Sequence, residues 1–224
     1  SERASSLPEL NLVLCGSDGA LKASVSDLLL GQREQRSVCV IRKGEVCGHL
    51  ITLVEMPALY NTQLSEQEVM RLTLHCVSTC DPGVHAFLFI VPVGPLTDEV
   101  KAEIQMIQRI FSSRVNDHTI ILFTNPYGTD KAAARFVEQS SETEQLLSMC
   151  GGRYIILKKS LAHDRPKQVL PLLNQIKEKV NVENLYSLLM YVEAQKDGVR
   201  LELESRLAEM EKTIQQLKTK QLQT

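Results

Sequence analysis

The residues with the most chemical promise lie near the start of the chain. In VLCGSDGALKAS, residues 13–24, an apolar run ends at Gly16 and Lys22 follows at the sixth position after it. Gly16 and Lys22 have the separation of the first glycine and the lysine in G-x-x-x-x-G-K-[ST]. Backbone N–H groups of that loop wrap phosphates, its lysine reaches the β/γ oxygens and its hydroxyl holds Mg²⁺. Ser17, Asp18, Gly19 and Ala20 fill the turn. Two working positions are altered. Leu21 stands where the second glycine belongs, a point where the backbone passes close to phosphate and a Cβ costs about 1–2 kcal/mol. Ala23 removes the hydroxyl, and Ser24 comes one residue late, about 100° round a helix. Asp18 adds negative charge beside the place of the phosphates. The candidate site is thus an altered phosphate loop, Gly16, Ser17, Asp18, Gly19, Ala20, Leu21, Lys22, Ala23 and Ser24, with Lys22 read as a solvated residue of a helix start rather than a phosphate ligand.

Positioning such a loop takes a strand before it and a helix after it. ELNLVLC (9–15) is a short apolar run of strand type, and residues 22–30 carry Ala23, Val25, Leu28, Leu29 and Leu30 at helical spacing. SVCVIRKGEVCGHLITLVEMP predicts two strands joined around Lys43-Gly44 and ended by Pro57. A helix follows from about Ser65, with Val69, Leu72 and Cys76 on one stripe. HAFLFIVPV (85–93) has the continuous apolarity of a strand covered on both faces. Thr97 caps the next helix, whose core face is Val100, Ile104, Ile107 and Phe111. HTIILFT (118–124) is another buried strand. A polar helix at roughly 130–149, a strand RYIILKK at 153–159 and a helix through QVLPLLNQIKEKV complete the order. Strands alternating with helices predict an α/β fold with a mostly parallel central sheet flanked by helices.

From Val182 the composition shifts to Leu, Glu, Lys and Gln. Leu185, Leu189, Val192, Lys196, Val199 and Leu203 are followed by Leu207, Met210, Ile214 and Leu217, a heptad pattern with one extra four-residue step between 203 and 207 that unwinds a supercoil locally. The early part, through about Val192, is expected to pack back on the sheet. Residues 199–222 are expected to project and pair with another helix, since an isolated helix of that length is marginal in water. The expected organisation is a globular domain over 9–181 and a C-terminal amphipathic, coiled-coil-like helix over 182–224.

Charge is balanced, 25 basic against 27 acidic residues, so no broad basic face argues for nucleic acid or an anionic membrane. No run approaches the roughly 18 apolar residues of a membrane span. With no signal pattern at the Ser-rich start, a cytoplasmic protein is expected, and the missing initiator Met suggests a piece of a longer chain. The cysteines (Cys15, Cys39, Cys47, Cys76, Cys80, Cys150) form no C-x-x-C pair and are read as buried thiols. Cys76 and Cys80, at i, i+4, leave zinc as the sharper alternative. His85 opens a buried strand and is read as structural. His49, His75, His118 and His163 are dispersed without a nucleophile in a triad-like context.

The block DPGVHAFLFIVPVGPLTDEVKAEIQMIQRIF (81–111), with LLLGQ, IILFT and CGGRYIIL, resembles the GIMAP family, the septin-like GTPases of immunity-associated proteins, from about Leu10 to Val180. The resemblance implies a Ras-like P-loop G domain with an extra helix, guanine nucleotide as ligand, association through the G domain and often a C-terminal coiled-coil extension. Carried over position by position, it also implies losses. Where the family has Asp-Thr-Pro after the third strand, this chain has Glu55-Met56-Pro57. The Mg²⁺-binding threonine has no candidate, Ser37 being the only hydroxyl residue from Asp27 to Ile51. The base-reading step falls on Thr124, Asn125, Pro126, Tyr127 and Gly128, without its carboxylate, and Asp130 comes two residues late. The segment after R-Y falls on Ile156, Leu157, Lys158 and Lys159.

Each charge-assisted contact is worth about 1.5–3 kcal/mol. Losing the Mg²⁺ hydroxyls and the guanine carboxylate forfeits roughly 5–8 kcal/mol, enough to carry a micromolar site to millimolar or worse. The leading expectation is a pseudo-GTPase with no cofactor, working through protein partners, itself or related G domains, with help from residues 199–222. The alternative is a true GTP-binding and GTP-hydrolysing switch, taking GTP or GDP with Mg²⁺ through substituted contacts. A third reading is a coiled-coil adaptor with the G-like domain as spacer.

Overall fold

The structure is a computed structural model that describes all residues except 1–6, 33–39, 61–62, 126–128, 158–164 and 223–224. Its strands are β1 (Glu9–Cys15), β2 (Val40–Val46), β3 (His49–Glu55), β4 (Ala86–Pro92), β5 (Thr119–Thr124) and β6 (Tyr154–Leu157). They form one sheet in the order β2-β3-β1-β4-β5-β6. Only β2 runs antiparallel to its neighbour. Helices α1 (Gly19–Leu30), α2 (Glu66–Thr79), α3 (Asp98–Phe111), α4 (Asp130–Gln139), α5 (Ser141–Met149), α6 (Arg165–Lys179) and α7 (Leu188–Leu222) complete the α/β order.

The central strands are apolar on both faces because both are covered. Val13, Phe87, Phe89 and Phe123 meet one set of helices, and Leu12, Leu14, Leu88 and Leu122 meet α1 and α6 on the other side. Side chains alternate across the strands, so each strand feeds both cores. On the first side Phe87, Phe111 and Tyr186 stack edge to face, with centroids 5.2–5.8 Å apart. The Tyr186 hydroxyl donates to the Phe111 carbonyl at 2.6 Å, so the ring is buried with its polar end satisfied.

Three expectations need correction. The β2–β3 turn is not at Lys43-Gly44, which pair within the ladder against Thr52 and Ile51. It is at Cys47-Gly48, both with positive φ (50° and 76°), the left-handed pair a two-residue hairpin turn requires. The polar helix over 130–149 is two helices. Ser140 interrupts it, closing α4 through its N–H to Phe136 and capping α5 through its hydroxyl, which accepts from the Thr143 N–H. Finally, α7 docks with residues other than its heptad stripe. Tyr191 and Ala194 are buried against the sheet domain, while Leu189 and Val192 are 66% and 51% exposed. Ser65 makes the capping box with Glu68, and Thr97 caps α3, as their types predict. Cys76 and Cys80 lie in the core, and among the described residues no group of three His, Cys, Asp or Glu is placed to hold a metal.

Candidate functional site

The site lies at the carboxyl ends of β1 and β3, where α1 begins. Gly16 ends β1 with φ 138°, and a Cβ there would stand 2.8 Å from the Ile90 carbonyl oxygen, so only glycine lets the chain turn this close to β4. Asp18 caps α1: its Oδ1 accepts from the N–H groups of Ala20 and Leu21 at 2.9 and 3.0 Å. Those N–H groups sit at the positive end of the helix dipole, where a bound anion would be held. Here a carboxylate from the chain itself meets them.

Lys22 is not solvated, contrary to the expectation above. It is 3% exposed, and its Nζ donates to the carbonyls of Gly16 at 2.6 Å and Met56 at 2.8 Å. The ammonium thereby ties the β1–α1 loop to the segment leaving β3. Burial pulls its pKa below the usual lysine value, while Cys15, Glu103, Glu55 and Asp18 oppose the shift by favouring the charged form. The sequence misplaced Lys22 because its position on α1, one turn before Ser26, turns inward with Val25 and Leu29.

The second polar anchor was missed. Glu103 of α3 is fully buried, and its two carboxylate oxygens accept from the backbone N–H groups of Leu59 and Tyr60 at 2.8 and 2.7 Å. Desolvation raises its pKa, and those two hydrogen bonds and Lys22 act against the rise. The signal was available: Glu103 lies three residues after Val100 and four before Ile107, on the apolar stripe of α3. A carboxylate in such a stripe needs buried donors. Together Lys22 and Glu103 hold residues 56–60 from two sides.

The other expected positions are scattered around this centre. Leu21 and Ala23 are half-buried, and Ser17 lies in the turn. Ser24 is exposed on the outer side of α1, away from Lys22. Glu55 ends β3, opposite Leu14 in the ladder, and is nearly buried. Thr124 ends β5, and the Asn125 amide donates to the Thr129 carbonyl at 3.2 Å. Asp130 opens α4 behind its Thr129 cap, as a first-turn acid. Ser37, Pro126, Tyr127, Gly128, Lys158, Lys159 and His163 lie outside the described residues. His85 is buried, its Nδ1 accepting from the Asn11 N–H at 2.9 Å, which makes it structural.

Among the described residues no helix is long and apolar enough to cross a membrane. The fold is similar to that of Toc33 from Arabidopsis thaliana, solved in complex with Mg²⁺ and GMPPNP, with a TM-score of 0.56 at 13% identity over 79% of this chain and 89% of that one. In sequence the chain is 25% identical over 193 residues to human GTPase IMAP family member 8, covering 81% of this chain and 29% of that protein. It is 24% identical over 234 residues to immune-associated nucleotide-binding protein 9 of Arabidopsis thaliana, covering 92% of this chain and 66% of that protein. The chain therefore spans less than two thirds of these relatives. The AIG1 family model matches residues 10–205, which include the loop at Gly16, both polar anchors and the docked start of α7, and the chain belongs to the AIG1 family.

Proposed function

We propose that this G domain works as a protein-association module that has given up efficient GTP binding and hydrolysis. One observation carries the reading: the Ala20 and Leu21 N–H groups and the Lys22 ammonium, which a triphosphate would meet, are engaged by the chain itself. Asp18 occupies the N–H groups at the start of α1, and Lys22 spends two donors on the Gly16 and Met56 carbonyls. Ala23 offers no oxygen to a metal ion. The residues present do not fit a Mg²⁺-triphosphate, because the anion's place at the helix start carries a fixed negative charge. Glu103 holds residues 59 and 60, the segment after β3, through its own carboxylate. The family suggests the class of partner, another copy or a related G domain, and for the structurally similar chloroplast translocon components atToc33 and psToc159 dimerization is important for the GTPase activity.

A second reading has an observation of its own. Gly16 keeps its close turn against β4, and Lys22 remains beside the loop it would serve. A switch with substituted contacts would use them once Asp18 and Lys22 swing away from their present partners. Titration with mant-GTP and mant-GDP in the presence of Mg²⁺ separates the two. The first reading expects no saturation below about 1 mM and no nucleotide released on denaturing the purified protein. Saturation in the low micromolar range, abolished by Lys22→Ala, establishes the second.

A further inference from the structure

The far part of α7 carries a long exposed apolar stripe. Every residue from Lys196 to Leu222 is exposed, including Val199, Leu203, Leu207, Met210, Ile214 and Leu217 at 49–60%. At 1.5 Å per residue, the segment after Gly198 is about 36 Å long. On a helical projection the stripe centres about 140° from the face that carries Tyr191 and Ala194. The same stripe continues back through Val192 and Leu189, also exposed. A helix laid on it would therefore face away from the sheet domain and meet no obstruction from it.

We infer that the occupant is a second copy of this chain, aligned parallel and in register from Val199 onward. This inference rests on the reading of the chain as an association module and names the partner. Parallel alignment sets each stripe residue against its own copy, with Leu203, Leu207 and Ile214 at a positions and Val199, Met210 and Leu217 at d. Ile214 at a with Leu217 at d is the one layer pair that matches the two-stranded parallel preference, so the choice of arrangement rests on the flanking charges. Parallel alignment also places Arg206, at g, which pairs with Glu202 on its own helix at 2.6 Å, within reach of Glu211 of the partner subunit, at e, twice by symmetry, and opposes no like charges at the flanks after Val199. Antiparallel alignment fills the stripe in two ways: centred between Leu207 and Met210 it sets Glu204 against Glu211 of the partner subunit and Arg200 against Lys218 of the partner subunit, like charges both; the other is centred on Leu203. It draws Arg206 toward Glu202 of the partner subunit but sets Glu193 against Glu211 of the partner subunit, so its flanking charges cancel. Lys196 would stack on its own copy in the parallel arrangement, which is why the pairing begins after it. Since the stripe points away from the docked face, the two sheet domains end on opposite outer sides of one end of the coil.

The test is sedimentation equilibrium of the full chain over 1–200 µM. Wild type is expected to be dimeric at the upper end. Leu207→Glu/Ile214→Glu is expected to be monomeric throughout, with the thermal transition of the sheet domain unmoved, so a folding defect is not mistaken for lost pairing. Glu211→Arg is the orientation probe, because no charged residue lies three or four positions from it on its own helix. Parallel pairing expects it to weaken the dimer about fivefold and Arg206→Glu/Glu211→Arg to restore it. A monomeric wild type at 200 µM, a dimeric stripe variant, or a tighter dimer with Glu211→Arg overturns the inference. Nucleotide binding is measured separately: a tight GTP site sinks the proposed function and leaves the dimer standing, while a monomer does the reverse.

Discussion

The loop at Gly16–Lys22 and the far part of α7 meet water in opposite ways. In the loop, polar groups that a ligand would satisfy are satisfied from within, by Asp18, by the Met56 carbonyl and by the approach of Glu103 to residues 59 and 60. In α7, apolar groups that a core would bury are left outside. Buried polar groups without partners cost about 1–3 kcal/mol each, and in the loop the chain supplies those partners. An exposed apolar stripe costs the chain less in isolation and is repaid by a partner. On the proposed function, that difference puts the open interaction on a helix rather than in the pocket.

The comparison breaks first at Glu103. If the carboxylate is a fixed internal anchor, Glu103→Ala leaves two backbone donors buried without acceptors and opens a void in the α3 stripe. The expected loss is about 3–5 kcal/mol in urea unfolding, the largest of any single polar substitution in the site. Glu103→Gln keeps one acceptor and should lose less than half as much. A loss under about 1 kcal/mol for Glu103→Ala would mean that residues 59 and 60 reach water in solution.

Lys22 and Asp18 sharpen it. Lys22→Met preserves volume and strips the Gly16 and Met56 carbonyls of a donor, against which the relief of burying an ammonium must be set. The net expected loss is about 1–2 kcal/mol. Asp18→Ala removes the α1 cap and is expected to cost about 1 kcal/mol. In the same protein it removes the charge at the helix start, so GTP binding, read by direct titration with mant-GTP, should improve over wild type. A stability effect with no gain in anion affinity would assign Asp18 to capping alone.

The sheet was legible because its strands are apolar without interruption and its helices carry periodic stripes, and because residues 81–111 carry a family pattern. The site was less so. Gly16 and Lys22 were visible as a spacing, but the inward turn of Lys22 depends on a carbonyl of Met56, contributed by a segment 34 residues away. Backbone acceptors have no residue-type signature. Glu103 was hidden in plain view, since reading a stripe for its apolar members skips the polar one. On α7 the heptad pattern was correctly spaced, yet periodicity alone does not say which face docks. Tyr191 and Ala194 docked because Tyr191 brings a hydroxyl to Thr73 of α2, 2.8 Å away, and Ala194 lets the helices approach.

His85 sets the smallest effect, and it tests the rigid side of the comparison. Its Nδ1 accepts from the Asn11 N–H, while the Asn11 amide holds the carbonyls of Asp81 and Gly83. Burial lowers the His85 pKa below its ordinary 6.5, with Glu9 opposing weakly. A depressed folded pKa means that the unfolded chain binds the proton more readily. The stability contribution is therefore complete above 6.5 and lost as pH falls through the folded value. One such proton changes stability by at most about 1.4 kcal/mol per pH unit. His118 is lowered by burial as well and titrates with the same sign, so the wild-type slope contains both. In His85→Asn the side-chain oxygen replaces Nδ1 as acceptor and no proton is taken up there. The expected outcome is a shallower loss of stability between pH 6.5 and 4.5 than in wild type, measured by urea unfolding at each pH, with little difference between the two proteins at pH 8. Equal slopes would show that His85 takes its proton without releasing Asn11, and that the bond to β1 is not what burial protects.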